Sequence, residues 1–265
     1  MIHSLLSALT ADYPFKEHIH CFESTDSTNT RLKVMGLNGA PHGTAVLAKC
    51  QTAGRGRLGR SFHSPEKQGI YLSILLRPNC HATSLMHLTC AAGSAVCNAI
   101  DSAIGVRPGI KWTNDLVFGN RKLGGILTEL SLAPDGTVDF AVVGIGINCT
   151  QKAGDFPEDI QNIATSLGEI TGKKVDIPQL AAVILASLLD MSEKLLSHRE
   201  EILAQYRSDC MTLGKEISVV TPTSVRYGIA RDIDLDGGLV VDFFDGKRET
   251  VNSGEVSIRG MYGYC

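Results

Sequence analysis

The stretch Cys50–Pro65, CQTAGRGRLGRSFHSP, alternates glycine and arginine through Gly54, Arg55, Gly56 and Arg57, and Gly59 and Arg60 follow. Glycines let a backbone approach a ligand closely, and the arginines between them supply forked donors for a carboxylate or a phosphate. From Gly54 to Gly59 the residues also spell G-x-G-x-x-G. A dinucleotide-binding turn would need a helix immediately after those glycines. Here Pro65 and Gly69 intervene and an apolar strand pattern, IYLSILL, comes next. No G-x-x-x-x-G-K-[ST] sequence occurs, so a P-loop is excluded as well. A nucleic-acid tract would interleave aromatic rings with its cations. This one has only Phe62, in a chain of net charge −3. An anion-binding loop and an ordinary solvated loop are left.

Further stretches concentrate polar chemistry. KWTND, Lys111 to Asp115, puts a cation, an amide and a carboxylate around the only tryptophan. RKLGGILTEL, Arg121 to Leu130, sets Lys122 just ahead of Gly124 and Gly125. DSTN covers Asp26 to Asn29, and GIGIN covers Gly144 to Asn148. In this order and spacing the motifs resemble those of the biotin–protein ligases, of the monofunctional type without an N-terminal DNA-binding domain. The resemblance runs from about residue 20 to residue 260. It implies an α+β fold: a mixed-sheet catalytic domain of the class II synthetase-like biotin/lipoyl ligase type over residues 1–212, and a small C-terminal SH3-like β-barrel over residues 213–265.

The chemistry implied has two steps. Biotin and ATP, with Mg2+, give biotinyl-5′-AMP and pyrophosphate, and the adenylate then acylates a lysine of a biotin carboxyl carrier domain. The first step joins two anions. Unit charges ~4 Å apart repel by about 1 kcal/mol in water and about 4 kcal/mol at an effective dielectric of 20, so fixed cations are required. By residue-level match, Ser27, Thr28, Asn29 and Gln51 line the biotin pocket, where hydroxyls and amides suit an uncharged ureido ring. Gly54, Arg55, Gly56 and Arg57 close over the biotin carboxylate and the phosphate, with Arg57 and Lys122 as electrostatic catalysts. Asp115 completes the catalytic set as the group that greets the acceptor lysine, apart from the bound anions. Phe62 either stacks on adenine or packs in the core, Trp112 is a pocket wall, and Lys111, Asn114, Gly124, Gly125 and Asn148 complete the binding set. Magnesium arrives with ATP, and no histidine spacing forms a metal site. The crowded arginines predict a loop that stays mobile until ligand anions neutralise it. Thr113 departs from the family pattern, which has proline there, and Leu58 replaces an arginine found in some members.

The same superfamily contains lipoyl and octanoyl ligases and transferases, and a biotinyl-adenylate sensor without catalysis is a further alternative. The loop, KWTND and the C-terminal strands favour biotin.

These motifs need elements to hold them. Residues 2–10 read as an amphipathic helix, HIHCFES as a strand, and STNTRLKVMG as a helix capped by Ser27 and ended by Gly36. GTAVLAKC and GIYLSILLRP read as strands flanking the Gly/Arg loop, and SLMHLTCAAGSAVCNAID as a long buried helix. GIKWTN, a hairpin turning at Gly119-Asn120, and TVDFAVVGIGIN follow. A helix after Pro178 carries Leu180, Val183, Ile184, Leu188, Met191 and Leu195 on one face. From Leu213 the pattern changes to short strands, KEISVVTP, VRYGIARDID, GLVVDFFD and RETVNSGEVSIRG, with turns at Asp236-Gly237 and Asp245-Gly246.

The composition is 43% hydrophobic and 20% charged, ordinary for a folded domain. Eight cysteines form no C-x-x-C pair and lie mostly in apolar runs. The N-terminus lacks a basic region and a convincing cleavage site, and no run reaches the ~18 apolar residues of a membrane span. We therefore expect a cytoplasmic protein with reduced thiols and no membrane partner. About 20 residues precede the first catalytic strand, too few for a winged helix, so no DNA partner is expected. A homodimer is left open.

Overall fold

The structure, a computed structural model, describes residues 2–9, 14–221, 223–259 and 261. Residue 10 of the expected N-terminal helix and the last cysteine, Cys265, lie outside the described residues. In chain order the elements are α1 (Ile2–Ala8), β1 (Ile19–Phe22), α2 (Thr28–Leu37), β2 (Ala45–Ala48), β3 (Gly69–Leu76), α3 (Leu88–Ile104), β4 (Gly109–Lys111), β5 (Asp115–Phe118), β6 (Arg121–Leu132) and β7 (Val138–Asn148). Then come α4 (Leu167–Thr171), α5 (Ile177–Lys194), α6 (Arg199–Asp209), β8 (Glu216–Val220), β9 (Val225–Ile233), β10 (Leu239–Phe243), β11 (Arg248–Val251) and β12 (Glu255–Ile258).

The first seven strands form one mixed sheet in the order β1-β2-β3-β7-β6-β5-β4. β1 and β2 are parallel, and every other neighbouring pair is antiparallel. β3 is buried along its whole length, which is why GIYLSILL reads as a continuous apolar run with no alternation. On one face α2 packs through Leu32 against Val46, Leu75, Phe140 and Val142. α2 runs one residue past Gly36 to Leu37, and Gly36 serves packing, since a Cβ there would come within 2.7 Å of Leu75 and 2.9 Å of Phe140. The other face carries α3 and α5, whose alanines and leucines join the main core. Asp176 caps α5 one residue before Ile177.

The expected hairpin turns at Gly119-Asn120, with Phe118 paired to Arg121 and Gly119 at φ 55. One feature beyond it decides the position of a catalytic candidate. Leu116 pairs with Gly124 while Val117 pairs with Lys122, so Leu123 is an extra residue bulged out of β6. In a regular strand Lys122 and Gly125 would face opposite sides. The bulge brings them to one face, and a Cβ built on Gly125 would lie 3.7 Å from Lys122 Cε.

The remaining strands form an antiparallel sheet of five in the order β11-β10-β9-β8-β12. RETVNSGEVSIRG, expected as one strand, divides at residues 252–254 into β11 and β12, and β12 pairs with β8. α6, which the sequence reading did not anticipate, joins the two sheets. Tyr206 donates its hydroxyl to Thr113 O at 2.9 Å, and Arg207 donates to Asp232 Oδ1 and Ile233 O at 2.9 Å. Among the described residues no helix is long and apolar enough to cross a membrane.

Candidate active site

A cavity of about 140 Å³ opens between α2, the Gly/Arg loop, the KWTND turn and the ends of β6, β7 and β12. Its floor is glycine. Gly144 and Gly146 of β7 and Gly125 of β6 line it, and the two in β7 omit a side chain for a visible reason. A Cβ on Gly144 would fall 2.0 Å from Asn29 Oδ1, and one on Gly146 would fall 2.5 Å from the Phe62 ring. Of GIGIN, only the asparagine is expected at the site from the sequence. Glycines two apart in a buried strand were the signal for a floor.

One end of the cavity is neutral. Ser27 caps α2 through a long contact of 3.5 Å from Thr30 N to its Oγ, which leaves its hydroxyl proton for a ligand. Gln51 Oε1 accepts from Thr28 N at 2.8 Å and from Thr28 Oγ1 at 3.2 Å. Gln51 Nε2 donates to Ser64 Oγ at 2.9 Å, leaving its second N–H. Asn29 differs from its neighbours. Its Nδ2 donates to Leu127 O at 3.2 Å and Glu129 Oε2 at 3.0 Å, and its Oδ1 lies 2.6 Å from Ser73 Oγ. Expected as a ureido ligand, Asn29 spends its polar atoms on the protein and acts as a wall.

The other end is charged. Lys122 Nζ sits 2.6 Å from Asp115 Oδ1. Lys111 is 7% exposed, and burial pushes its ammonium below the ordinary lysine range while nearby Asp115 pulls the other way. Arg57 Nη1 donates to Asn114 Oδ1 at 3.1 Å, and Asn114 Nδ2 donates to Ile126 O at 3.0 Å. Trp112 walls this end, with its backbone N–H on Thr212 Oγ1 at 2.8 Å and its indole N–H on Gly237 O at 2.9 Å. The Trp112–Thr113 peptide is cis. The separation expected between Asp115 and the anion site is absent, because the carboxylate rests on Lys122 itself.

The loop folds as a small hairpin. Phe62 N donates to Gly54 O at 2.9 Å and Gly56 N to Arg60 O at 2.7 Å. Its tip turns through Leu58 at φ 54 and Gly59 at φ 77. Its arginines, crowded in the sequence, reach separate partners. Arg55 Nη1 is 3.1 Å from Glu129 Oε1, Arg57 holds Asn114, and Arg60 Nη2 is 2.5 Å from Glu255 Oε2 of β12. Gly254, Glu255 and Val256 also line the cavity, a contribution from the second sheet that the motifs did not disclose. Phe62 lies edge-on to Tyr71, with ring centroids 6.4 Å apart, and over Gly146, so it packs as a wall and has no free face for stacking on that side.

Several expected site residues stand behind the cavity instead of in it. Gly54 serves the loop's neck, where a Cβ would meet Phe62 O at 2.4 Å. Gly124 serves strand packing, since a Cβ would meet Gly146 O at 2.3 Å. Asn148 is buried and donates from Nδ2 to Thr165 O at 3.0 Å. Thr165 N in turn donates to Lys122 O at 2.9 Å, so Asn148 supports the backbone of Lys122.

The cleft is neutral at one end and cationic at the other, and can seat an elongated acid with its carboxylate among the cations. Residues 21–148 match the family model described as the Biotin/lipoate A/B protein ligase family, and residues 212–259 match the one described as the Biotin protein ligase C terminal domain. The chain belongs to the biotin protein ligase family. It is 35% identical over 234 residues to the bifunctional ligase/repressor BirA of Bacillus spizizenii, covering 88% of this chain and 72% of that protein. It is 34% identical over 238 residues to the biotin–[acetyl-CoA-carboxylase] ligase of Mycobacterium tuberculosis, covering 88% and 85%. Among solved structures, the biotin protein ligase from Aquifex aeolicus in complex with biotin and ATP superposes with a TM-score of 0.77 at 32% identity, covering 91% of this chain and 98% of that one.

Proposed function

We propose that this chain condenses biotin with ATP to biotinyl-5′-AMP and transfers the biotinyl group to a lysine of a biotin carboxyl carrier domain. The observation that carries the reading is the single cavity in which the uncharged Ser27–Thr28–Gln51 end runs into the Lys111–Lys122–Arg57 end. A biotin ureido ring fits the first, and its carboxylate then points at the second.

In the first step a carboxylate oxygen attacks the α-phosphorus and pyrophosphate leaves. Arg57, held by an amide oxygen and not by a carboxylate, keeps its full charge for the reacting oxygens. Lys122 does the same once the phosphate draws it from Asp115. In the second step the acceptor amine attacks the acyl carbon and AMP leaves. The released Asp115 carboxylate then orients that amine and takes its proton. Among the described residues no group of three His, Cys, Asp or Glu side chains is placed to hold a metal ion. We assign Mg2+ to the incoming ATP phosphates, with Asp115 and Asn114 as the oxygen donors nearest that end. We assign residues 1–212 to the catalytic domain and 213–265 to the C-terminal domain, and place the protein in the cytoplasm, which suits its free described thiols.

The test mixes the chain with biotin, ATP labelled in the α-phosphate and an apo carrier domain. Labelled biotinyl-AMP and a biotinylated lysine are expected, with no product when lipoate or octanoate replaces biotin. Product from lipoate alone would reassign the chain to the lipoyl branch, and tight adenylate binding without any transfer would make it a sensor.

A further inference from the structure

Glu129 of β6 belongs to a stretch whose alternation would ordinarily leave a carboxylate in solvent, yet its side chain is only 17% exposed. Separate elements converge on it. Arg55 of the loop places Nη1 3.1 Å and 3.2 Å from its two oxygens. Asn29 of α2 donates to Oε2 at 3.0 Å, and Lys33, one turn further along α2, holds Nζ 3.8 Å from Oε1. The contacts continue from Asn29 Oδ1 to Ser73 Oγ at 2.6 Å, from Ser73 Oγ to Thr28 Oγ1 at 2.8 Å, and from Thr28 Oγ1 to Gln51 Oε1 at 3.2 Å.

We propose that Glu129 is a positioning residue for the neutral end of the pocket: it anchors Arg55 and sets the orientation of the Asn29 amide, and so controls biotin affinity without touching biotin. The inference rests on the reading of the pocket as a biotin site. Asn29 has one amide face whose donors are both used, and the Glu129 carboxylate is what fixes that face toward β6. With Nδ2 so committed, Oδ1 must meet Ser73, and the hydroxyl directions at Thr28 follow.

The same geometry separates two arginines that lie two residues apart. If Arg55 turned to a ligand anion, Glu129 would keep only a neutral amide and a partly exposed lysine at 3.8 Å. Stripping one partner from a largely buried carboxylate is costly. Arg55 therefore remains on Glu129, and the ligand's anions are met by Arg57, Lys111 and Lys122. The loop is thus an anchor at Arg55 and a catalyst at Arg57.

Steady-state kinetics of pyrophosphate release test this, with biotin binding measured separately by equilibrium dialysis. Glu129→Gln keeps an acceptor for Asn29 but loses the charge, and should raise the biotin KM about tenfold; Glu129→Ala should raise it about a hundredfold. The ATP KM and the rate of transfer from preformed biotinyl-AMP should change less than about threefold. Arg55→Gln should reproduce Glu129→Gln, and the double variant should be no worse than either alone. A biotin KM within about twofold of wild type in Glu129→Ala would reduce Glu129 to a surface ion pair. An Arg55→Gln variant impaired chiefly in ATP KM or transfer would make Arg55 an anion ligand and overturn the division. Equal damage to every parameter, with a lowered thermal midpoint, would make Glu129 a residue of the fold and overturn it too. Wild-type protein that binds biotin but releases no pyrophosphate would sink the ligase reading, while dialysis would still decide the role of Glu129.

Discussion

At one end of the pocket Thr28, Gln51 and Ser73 orient one another through hydrogen bonds between uncharged groups, while at the other Lys122 and Asp115 share charge across 2.6 Å, with buried Lys111 beside them. The first end is a set of small commitments, each worth about 0.5–1.5 kcal/mol, and its selectivity comes from their common geometry. The second end concentrates its effect in a few groups, each of which changes the field felt by a developing oxyanion. Damage should therefore be graded differently at the two ends.

The largest loss is expected from Lys122→Ala. An oriented cation at a developing oxyanion is typically worth about 10²–10³ in rate, so adenylate formation at saturating biotin should fall by that factor. Biotin affinity measured by dialysis should hold. A parallel loss of affinity would mean that the two ends are not separable.

Asp115→Asn is expected next. Because Asp115 sits on Lys122, its removal takes away the carboxylate that offsets Lys122 and nearby Lys111, and adenylate formation should slow as well as transfer. Transfer should fall about a hundredfold, the contribution of a positioned base. The neutral fraction of the acceptor amine rises with pH toward the lysine pKa of ~10.4, so the transfer defect should shrink as pH rises. Single-turnover assays from preformed adenylate separate the steps. An adenylation rate equal to wild type would place Asp115 wholly in transfer.

Gly144→Ala probes the neutral end by volume. The new methyl would lie 2.0 Å from Asn29 Oδ1, and overpacking of this kind costs about 1–3 kcal/mol. Biotin KM should rise about tenfold or more, with the transfer rate from preformed adenylate less affected. The smallest effect belongs to Thr28→Val, which removes the hydroxyl shared with Gln51 and Ser73. Biotin affinity should weaken about threefold to tenfold, and ATP affinity should not move.

Much of this was legible in the sequence because the local signals agreed. Gly119-Asn120 between apolar runs specifies a two-residue hairpin, and Ser27 before a helical run specifies a cap. α6 escaped because Arg199–Asp209 is mostly charged and buries only Leu203, Tyr206 and Asp209, too narrow a stripe to stand out. The break at residues 252–254 escaped because RETV and EVSI both favour strands, and only β12's pairing with β8 separates them. At the site, the cations and the neutral hydroxyls announced themselves by type and spacing. Glu129 and Glu255 did not, since a carboxylate on a strand looks solvated until another element folds over it. Asn148 and Gly124 misled in the opposite sense. They belong to functional motifs but serve the backbone that presents Lys122.

The extra residue in β6 gives strand parity a bearing on chemistry. Removing Leu123 would leave Lys122 two residues from Gly125, the separation that a regular strand puts on one face, so the deletion straightens β6 and keeps Lys122 on the side of Asp115. A chain shortened by that single codon would keep Val117 opposite Lys122 and Leu116 opposite Gly124, now as consecutive pairs. The lesion that would flip Lys122 is one in the partner strand: a residue added to β5 between Leu116 and Val117 would pair with Leu123, remove the bulge and send Lys122 to the face opposite Gly125 with every motif letter of β6 intact.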